Sequence, residues 1–309
     1  MIDRLSRNVI GLSLTSSTMS LPRRAFGFGK RQLARVKYRY SLVNRQLYRR
    51  FFGDRYLSSI KRETRKSCWC GGNLAPFKWL SSYGVCERCG CFVNRCPPLS
   101  GEFARIYSFN LYWHVKQKVD GLPVIEKRAD RYVQDGRVDY WLRLIEKHGP
   151  PKGDVVEIGC APGVLLRELK ARGYDCLGLE PDEETVAWIS KTMGVTVRAG
   201  LFPGVQLPPC DLFLAFDVLE HVSEPEAFMR EAARLLRPGG RAIIQTAIDR
   251  YDYVPPFAPR FREAFDDIEH MFVFTNKSID KLAERARLKI LDNSERLTLM
   301  GEICVFAKS

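Results

Sequence analysis

From about residue 151 onward, short β-branched and aliphatic runs alternate with stretches whose apolar positions recur every three or four residues. Val155 to Ile158, Cys176 to Leu179, Val195 to Val197, Leu212 to Phe216 and Ala242 to Thr246 read as strands. Their near-continuous apolar character fits strands covered on both faces. Between them, Gly163 to Arg172, Glu183 to Met193 and Pro225 to Leu236 read as amphipathic helices. Repeated strand–helix units predict an α/β fold, a parallel sheet with helices on both sides. Ser278 to Ala286 is a further helix. The last two strands, near Lys289–Asp292 and Glu302–Ala307, have no helix between them and should form an antiparallel hairpin.

The first half of the chain has a different texture. Residues 1–27 show little periodicity and are expected to be mostly disordered. From Gly29 to Ser67, Leu33, Val36, Tyr40, Leu47, Tyr48 and Phe51 fall roughly at helical spacing among many arginines, which predicts one or two basic helices. Residues 67–99 are rich in Cys and Gly and read as a small compact unit. Residues 100–150 hold the aromatic string Tyr107, Phe109, Tyr112, Trp113 and His114, then a helix expected from about Val133 to His148. Gly149-Pro150-Pro151 stops that helix and marks the start of a domain over 151–309.

Charge sharpens this division. The 309-residue chain carries a net +13, but residues 1–66 alone hold 17 Lys and Arg against 3 Asp and Glu. The other 243 residues hold 32 against 33. The molecule is thus a nearly neutral body with one basic arm. A neutral body disfavours nucleic acid as partner, while the arm suits an anionic surface such as a membrane. No run of about 18 uncharged apolar residues exists, so no transmembrane helix is expected.

Six of the ten cysteines lie between Cys68 and Cys96. No signal-peptide pattern is visible at the N-terminus, and a reducing compartment is expected, so the cluster reads as metal ligands before disulfides. Cys68 and Cys70 form one knuckle and Cys86 and Cys89 a second, with 15 residues between them. Four thiolates from two such turns can converge on a tetrahedral, structural Zn2+ with no position open for a catalytic water. The first knuckle has one intervening residue where two are usual. Cys91 and Cys96 are spare.

The segment Val155-Val156-Glu157-Ile158-Gly159-Cys160-Ala161-Pro162-Gly163 is a strand, a glycine turn and a helix start. Such a turn lets a ligand approach the backbone closely. Glu180, at the next strand end and 21 positions after Gly159, can accept both hydroxyls of a ribose. The third glycine of the dinucleotide fingerprint is missing, which disfavours NAD and suits a ligand with a ribose but no phosphate. Together with Phe216-Asp217-Val218-Leu219-Glu220-His221-Val222 and Leu235-Leu236-Arg237-Pro238-Gly239-Gly240, these segments resemble, in order and spacing, the motifs of class I S-adenosylmethionine (SAM)-dependent methyltransferases. The resemblance covers about residues 151–309. It implies a Rossmann-like seven-stranded sheet, and SAM contacts at Glu157, Gly159, Ala161, Gly163, Glu180, Asp217 and Val218. Many relatives have an acid at the end of the third strand. This chain has Arg198-Ala199-Gly200-Leu201-Phe202, where Phe202 reads equally as adenine wall or as core.

Methyl transfer to a hydroxyl needs an aligned acceptor and a group to take its proton. Of four histidines, His148 suits a helix cap and His114 lies in the aromatic string. His270 is favoured slightly as base over His221, whose Glu-His pair suits a fold role equally well. No Asn/Asp-Pro-Pro-Tyr turn follows the fourth strand, which disfavours transfer to base amines. A Cys-x-x-Cys unit ahead of such a domain, with Gly136-Arg137-Val138-Asp139-Tyr140-Trp141 and Gln245-Thr246-Ala247-Ile248-Asp249-Arg250-Tyr251, resembles bacterial methyltransferases of glycan and nucleotide-sugar biosynthesis. That resemblance implies a sugar hydroxyl in a glycan or its activated precursor as acceptor. C-methylation of a nucleotide sugar, and RNA methylation using the arm, are the alternatives. It also implies a cytoplasmic enzyme, peripheral at the inner membrane face; in a eukaryote, the Arg-rich, Ser-containing N-terminus reads as a mitochondrial matrix presequence.

Overall fold

A computed structural model describes residues 58–248, 264–293, 296–297 and 301–308. Of the basic helices expected over 29–67, residues 29–57 lie outside the described residues, as do Asp249-Arg250-Tyr251, and residues 58–67 form no helix.

The apolar runs become the centre of one large sheet. Its strands are β4 (Asp154–Ile158), β5 (Asp175–Glu180), β6 (Thr196–Ala199), β7 (Cys210–Phe216), β8 (Leu236–Thr246), β10 (Leu288–Asp292) and β12 (Gly301–Lys308), in the order β10-β12-β8-β7-β4-β5-β6. Strands β4 to β8 pair in parallel, and β12 runs antiparallel to both β8 and β10. The expected terminal hairpin is present, with Ile290 opposite Phe306. A short β11 (Arg296–Leu297) also pairs with β12.

Strand alternation divides the core in two. Val156, Ile158, Phe213 and Ala215 point to one face, where they meet α5 (Pro225–Leu235) and α6 (Asn276–Ala286) through Phe228, Ala232, Ile279 and Leu282. Val155, Leu212 and Leu214 point to the other, against α2 (Arg137–His148) and α3 (Val164–Ala171) through Leu142, Ile145, Leu166 and Leu169. Both faces are thus dry, as the continuous apolar strands require. Helix α4 (Glu183–Met193) starts where the Asp182 carboxylate accepts the Thr185 N–H at 2.8 Å.

The helix expected over Val133–His148 is in fact two, α1 (Ile125–Gln134) and α2. Gly136 breaks the run with φ 79°, a conformation only glycine takes freely. The apolar pattern continues across the break because both helices face the same core. The aromatic string forms a widened helix of π type, Phe109–Lys116, which continues as Gln117–Asp120. Among the described residues no helix is long and apolar enough to cross a membrane.

The cysteine-rich stretch builds a second sheet, β1 (Leu74–Pro76), β2 (Tyr83–Cys86) and β3 (Phe92–Asn94). Its fourth strand comes from the far end of the chain: β9 (Phe272–Val273) pairs with β3. Further bonds secure that join. Tyr83 Oη shares its proton between the carbonyls of His270 (2.8 Å) and Asp266 (3.0 Å). Asn94 Nδ2 donates to the carbonyls of Asp267 and His270 at 3.0 and 3.1 Å. Residues just ahead of the unit join it as well, since Arg62 Nη1 donates to the carbonyls of Cys96 (2.7 Å) and Asp267 (2.9 Å).

Candidate active site

A cavity of about 410 Å3 opens where the C-terminal ends of β4, β5 and β7 meet. Parallel strands leave their loops together at this edge, which is why ligands bind there in open α/β sheets. Glu157, Gly159, Ala161, Glu180, Phe202, Asp217 and Val218 all line it.

Gly159 has φ 67°, and a Cβ there would come within 2.6 Å of Val218 Cγ2, so the turn closes only with glycine. Gly163 does not line the cavity. It begins α3 at φ 85°, where a Cβ would lie 2.5 Å from Ile189 Cγ2. Its role is close packing of α3 on α4.

Four acidic side chains line the cavity, Glu157, Glu180, Asp217 and the exposed Glu224. Glu180 Oε1 accepts the Ala161 N–H at 2.6 Å, and burial lifts its carboxyl to about 7. Glu157 is pushed well above the ordinary range by burial, and the Glu180 charge adds to this; its Oε2 is buried without a partner. Burial and the Glu220 charge lift Asp217 to about 7, against the Gln245 Nε2 bond to its Oδ1 at 2.7 Å. The buried Glu157 Oε2, without a partner among the described residues, calls for one from a ligand. A ligand with two ribose hydroxyls and an ammonium group supplies it, so the residues present fit SAM.

Phe202 lines the cavity and also packs edge-on against Phe228, ring centres 4.9 Å apart. Wall and core are the same residue. The third-strand end has no acid to add.

The two candidate bases lie together. The His221 and His270 rings are 4.8 Å apart. His221 is in the cavity wall; His270 stands behind it. His221 Nδ1 pairs with the Glu269 carbonyl (2.9 Å) and His270 Nδ1 with the Ala264 carbonyl (2.6 Å). Each carbonyl can only accept, so both rings carry a proton on Nδ1. Burial, and then the neighbouring His270, lower His221 to about 3, which keeps it neutral and leaves its Nε2 as an acceptor. Glu220 accepts from Thr246 Oγ1 at 2.8 Å. One ligand atom each from Glu220, His221 and His270 lies within 4.8 Å of the others, so this group can also hold a cation. His114 and His148 serve elsewhere, beside Glu126 (3.5 Å) and Asp292 (3.4 Å).

Several wall residues were not visible as a group in the sequence. Trp141 stacks on Phe216 with ring centres 4.5 Å apart, and its Nε1 donates to Gln245 Oε1 at 3.1 Å. Gln245 thereby orients the Asp217 carboxylate. Phe103, Tyr107, Tyr112 and Trp113 form an aromatic wall, and Arg128 and Tyr132 complete it from α1. The aromatic string was the one sequence signal for this side.

Away from the cavity, Cys68, Cys70, Cys86 and Cys89 are all buried, and their sulfurs lie within 4.8 Å of one another. Cys68 and Cys89 are 3.7 Å apart, and Cys70 and Cys86 3.4 Å. Tetrahedral thiolates at about 2.3 Å from zinc sit roughly 3.8 Å apart, so the set fits Zn2+. Cys91 Sγ instead donates to the Val273 carbonyl, and Cys96 is exposed.

A family model described as a methyltransferase domain matches residues 126–293. The chain is similar to the ubiquinone biosynthesis O-methyltransferase of Rhizobium etli, at 29% identity over 37% of this chain and 50% of the relative. It is also similar to a Mycolicibacterium smegmatis protein named as a probable S-adenosylmethionine-dependent methyltransferase, at 32% identity over 35% of this chain and 46% of the relative. The matched part thus spans about half the length of these relatives. Among solved structures, magnesium protoporphyrin IX methyltransferase from Synechocystis aligns with a TM-score of 0.44 at 17% identity, over 60% of this chain and 82% of that one.

Proposed function

The chain belongs to the methyltransferase-domain family, and on that premise we propose that it moves a methyl group from SAM to a hydroxyl oxygen. The observation that carries this reading is the cavity itself. It joins the family's cofactor residues to an aromatic wall and to a histidine with a free acceptor nitrogen.

Glu180 would hold the ribose hydroxyls, and Gly159 and Ala161 would lie under the cofactor. Glu157 and Asp217 would face its cationic end. SAM supplies an activated methyl group on a sulfonium. The protein's share is to place the acceptor, exclude water and receive a proton. His221 Nε2 would receive that proton, since its ring meets Tyr107 of the aromatic wall at 6.0 Å between centres. His270, ring to ring with it, and the backbone carbonyl behind each Nδ1 hold the pair in one tautomer.

A sugar hydroxyl and a phenolic hydroxyl both meet these needs. The wall of Phe103, Tyr107, Tyr112 and Trp113 offers flat apolar area and few polar groups, which favours a phenol-type ring over a polyhydroxylated one. The O-methyltransferase names of similar proteins lean the same way. The test is incubation of the full chain with methyl-labelled SAM and a panel of catechols, nucleotide sugars, lipid-linked glycans and RNA. Label on a phenolic oxygen supports the reading; label on sugars or RNA alone replaces it.

The four-cysteine cluster would hold one structural zinc, with every coordination position taken by sulfur. The basic arm would hold the enzyme to an anionic membrane face, where lipid-borne acceptors gather.

A further inference from the structure

One charge in the cavity wall has no counter-ion among the described residues. Arg128, on α1, is 9% exposed, and its side chain lines the cavity. Its Nη1 donates to Gln117 Oε1 and its Nε to Tyr132 Oη, both at 3.1 Å. The guanidinium carbon also lies 5.2 Å from the Tyr132 ring centre. Each of these neighbours is neutral. Among the described residues no carboxylate stands within ion-pair distance of Arg128. The contrast is Arg137, the other buried guanidinium of this region, which grips Asp135 with two bonds of 3.0 and 2.7 Å. A buried charge with no counter-ion is costly, and a guanidinium has five donors, of which Arg128 uses two. Its fork matches the two oxygens of a carboxylate.

The rest of the wall shows what kind of ligand carries that group. Glu157, Glu180, Asp217 and, at the exposed rim, Glu224 give the cavity four acidic side chains. Arg128 is its single buried cation. Such a wall suits a ligand with cationic centres and one carboxylate. We propose that Arg128 receives a carboxylate of the reacting pair, as a binding residue that the family motifs do not contain. This rests on the SAM reading above. Two sources share the chemistry: the amino-acid end of SAM, whose sulfonium and ammonium would face Glu157 and Asp217, or an acid group on the acceptor.

Calorimetry separates them, using the full chain, Arg128→Gln and Arg128→Lys. The probes are S-adenosylhomocysteine and 5′-methylthioadenosine, which lacks the amino-acid end. If SAM is the source, Arg128→Gln weakens S-adenosylhomocysteine about 10- to 100-fold, leaves methylthioadenosine unchanged, and Arg128→Lys recovers part of the loss. If the acceptor is the source, Arg128→Gln leaves both nucleosides unchanged but weakens 3,4-dihydroxybenzoate, and not its methyl ester, on the S-adenosylhomocysteine-loaded protein. Equal loss of both nucleosides, or no loss with any of these probes, overturns the proposal. Failure of the unsubstituted chain to bind S-adenosylhomocysteine would instead sink the SAM reading itself.

Discussion

The Tyr83 hydroxyl donates to the His270 carbonyl at 2.8 Å, across 187 positions of sequence. A side chain of the cysteine unit thus holds the backbone of a histidine beside the cavity. Asn94 reinforces it, so the unit works as a clamp on the segment 266–275.

Tyr83→Phe should therefore slow methyl transfer several-fold while cofactor affinity stays the same. Loss of a buried hydrogen bond leaves two carbonyls short of a donor, at a cost of about 1–2 kcal/mol in stability. Single-turnover rates beside S-adenosylhomocysteine titration check this. An unchanged rate would show that the clamp does not reach the chemistry.

One zinc per chain is expected in protein purified without chelator. Cys86→Ser with Cys89→Ser should abolish it, since two of four ligands are lost. Metal analysis reads the result, and full retention in that double variant would reject the ligand set.

Glu180→Ala should weaken SAM by roughly 2–4 kcal/mol, the loss of two hydrogen bonds to a charged acceptor. Calorimetry that finds the same affinity would remove Glu180 from the ribose site.

The same residue makes stability depend on pH. Burial holds the Glu180 carboxyl at about 7, against 4.5 in an unfolded chain. Between those values the folded state keeps a proton that the unfolded state has released. Stability without cofactor should then fall as pH rises from about 4.5 to 7, by on the order of 3 kcal/mol from this group, and level off above. Glu180→Gln should remove that part of the slope. Urea unfolding at several pH values measures it, and identical slopes would contradict the assignment.

Residues 1–57 should bind anionic vesicles in a salt-dependent way. The cut belongs at Ser58, because Ile60 is buried and Arg62 is bonded to the cysteine unit. A chain starting there should still bind SAM and lose the vesicles. Equal vesicle binding by both chains refutes the arm's role, and a preference of the full chain for RNA at physiological salt replaces it.

The parts legible in the sequence were those under hard steric or chemical demands. Gly159 and Gly163 occupy positions no side chain fits, Glu180 ends a strand, and the cysteines have no apolar substitute. What stayed hidden depends on distant partners. Trp141 meets Gln245 across 104 positions, and nothing local marks either as a support for Asp217. Arg128 looks like any exposed arginine of an amphipathic helix until Gln117 and Tyr132 close around it. The aromatic string carried no element assignment, and it folds as a widened helix. Two residues of β9 are too few to show alternation at all.

That brief strand has a consequence during synthesis. Cys68 to Cys89 leave the ribosome well before the segment that carries β9, and the thiols can gather around a metal while that segment is still unmade. Yet the edge of β3 stays open until Phe272 and Val273 arrive, some 180 residues later. The nascent unit must therefore wait with an unpaired, partly apolar edge, a state in which strands of other chains compete for pairing. Closing that edge also ties the unit to the segment that carries His270, behind His221.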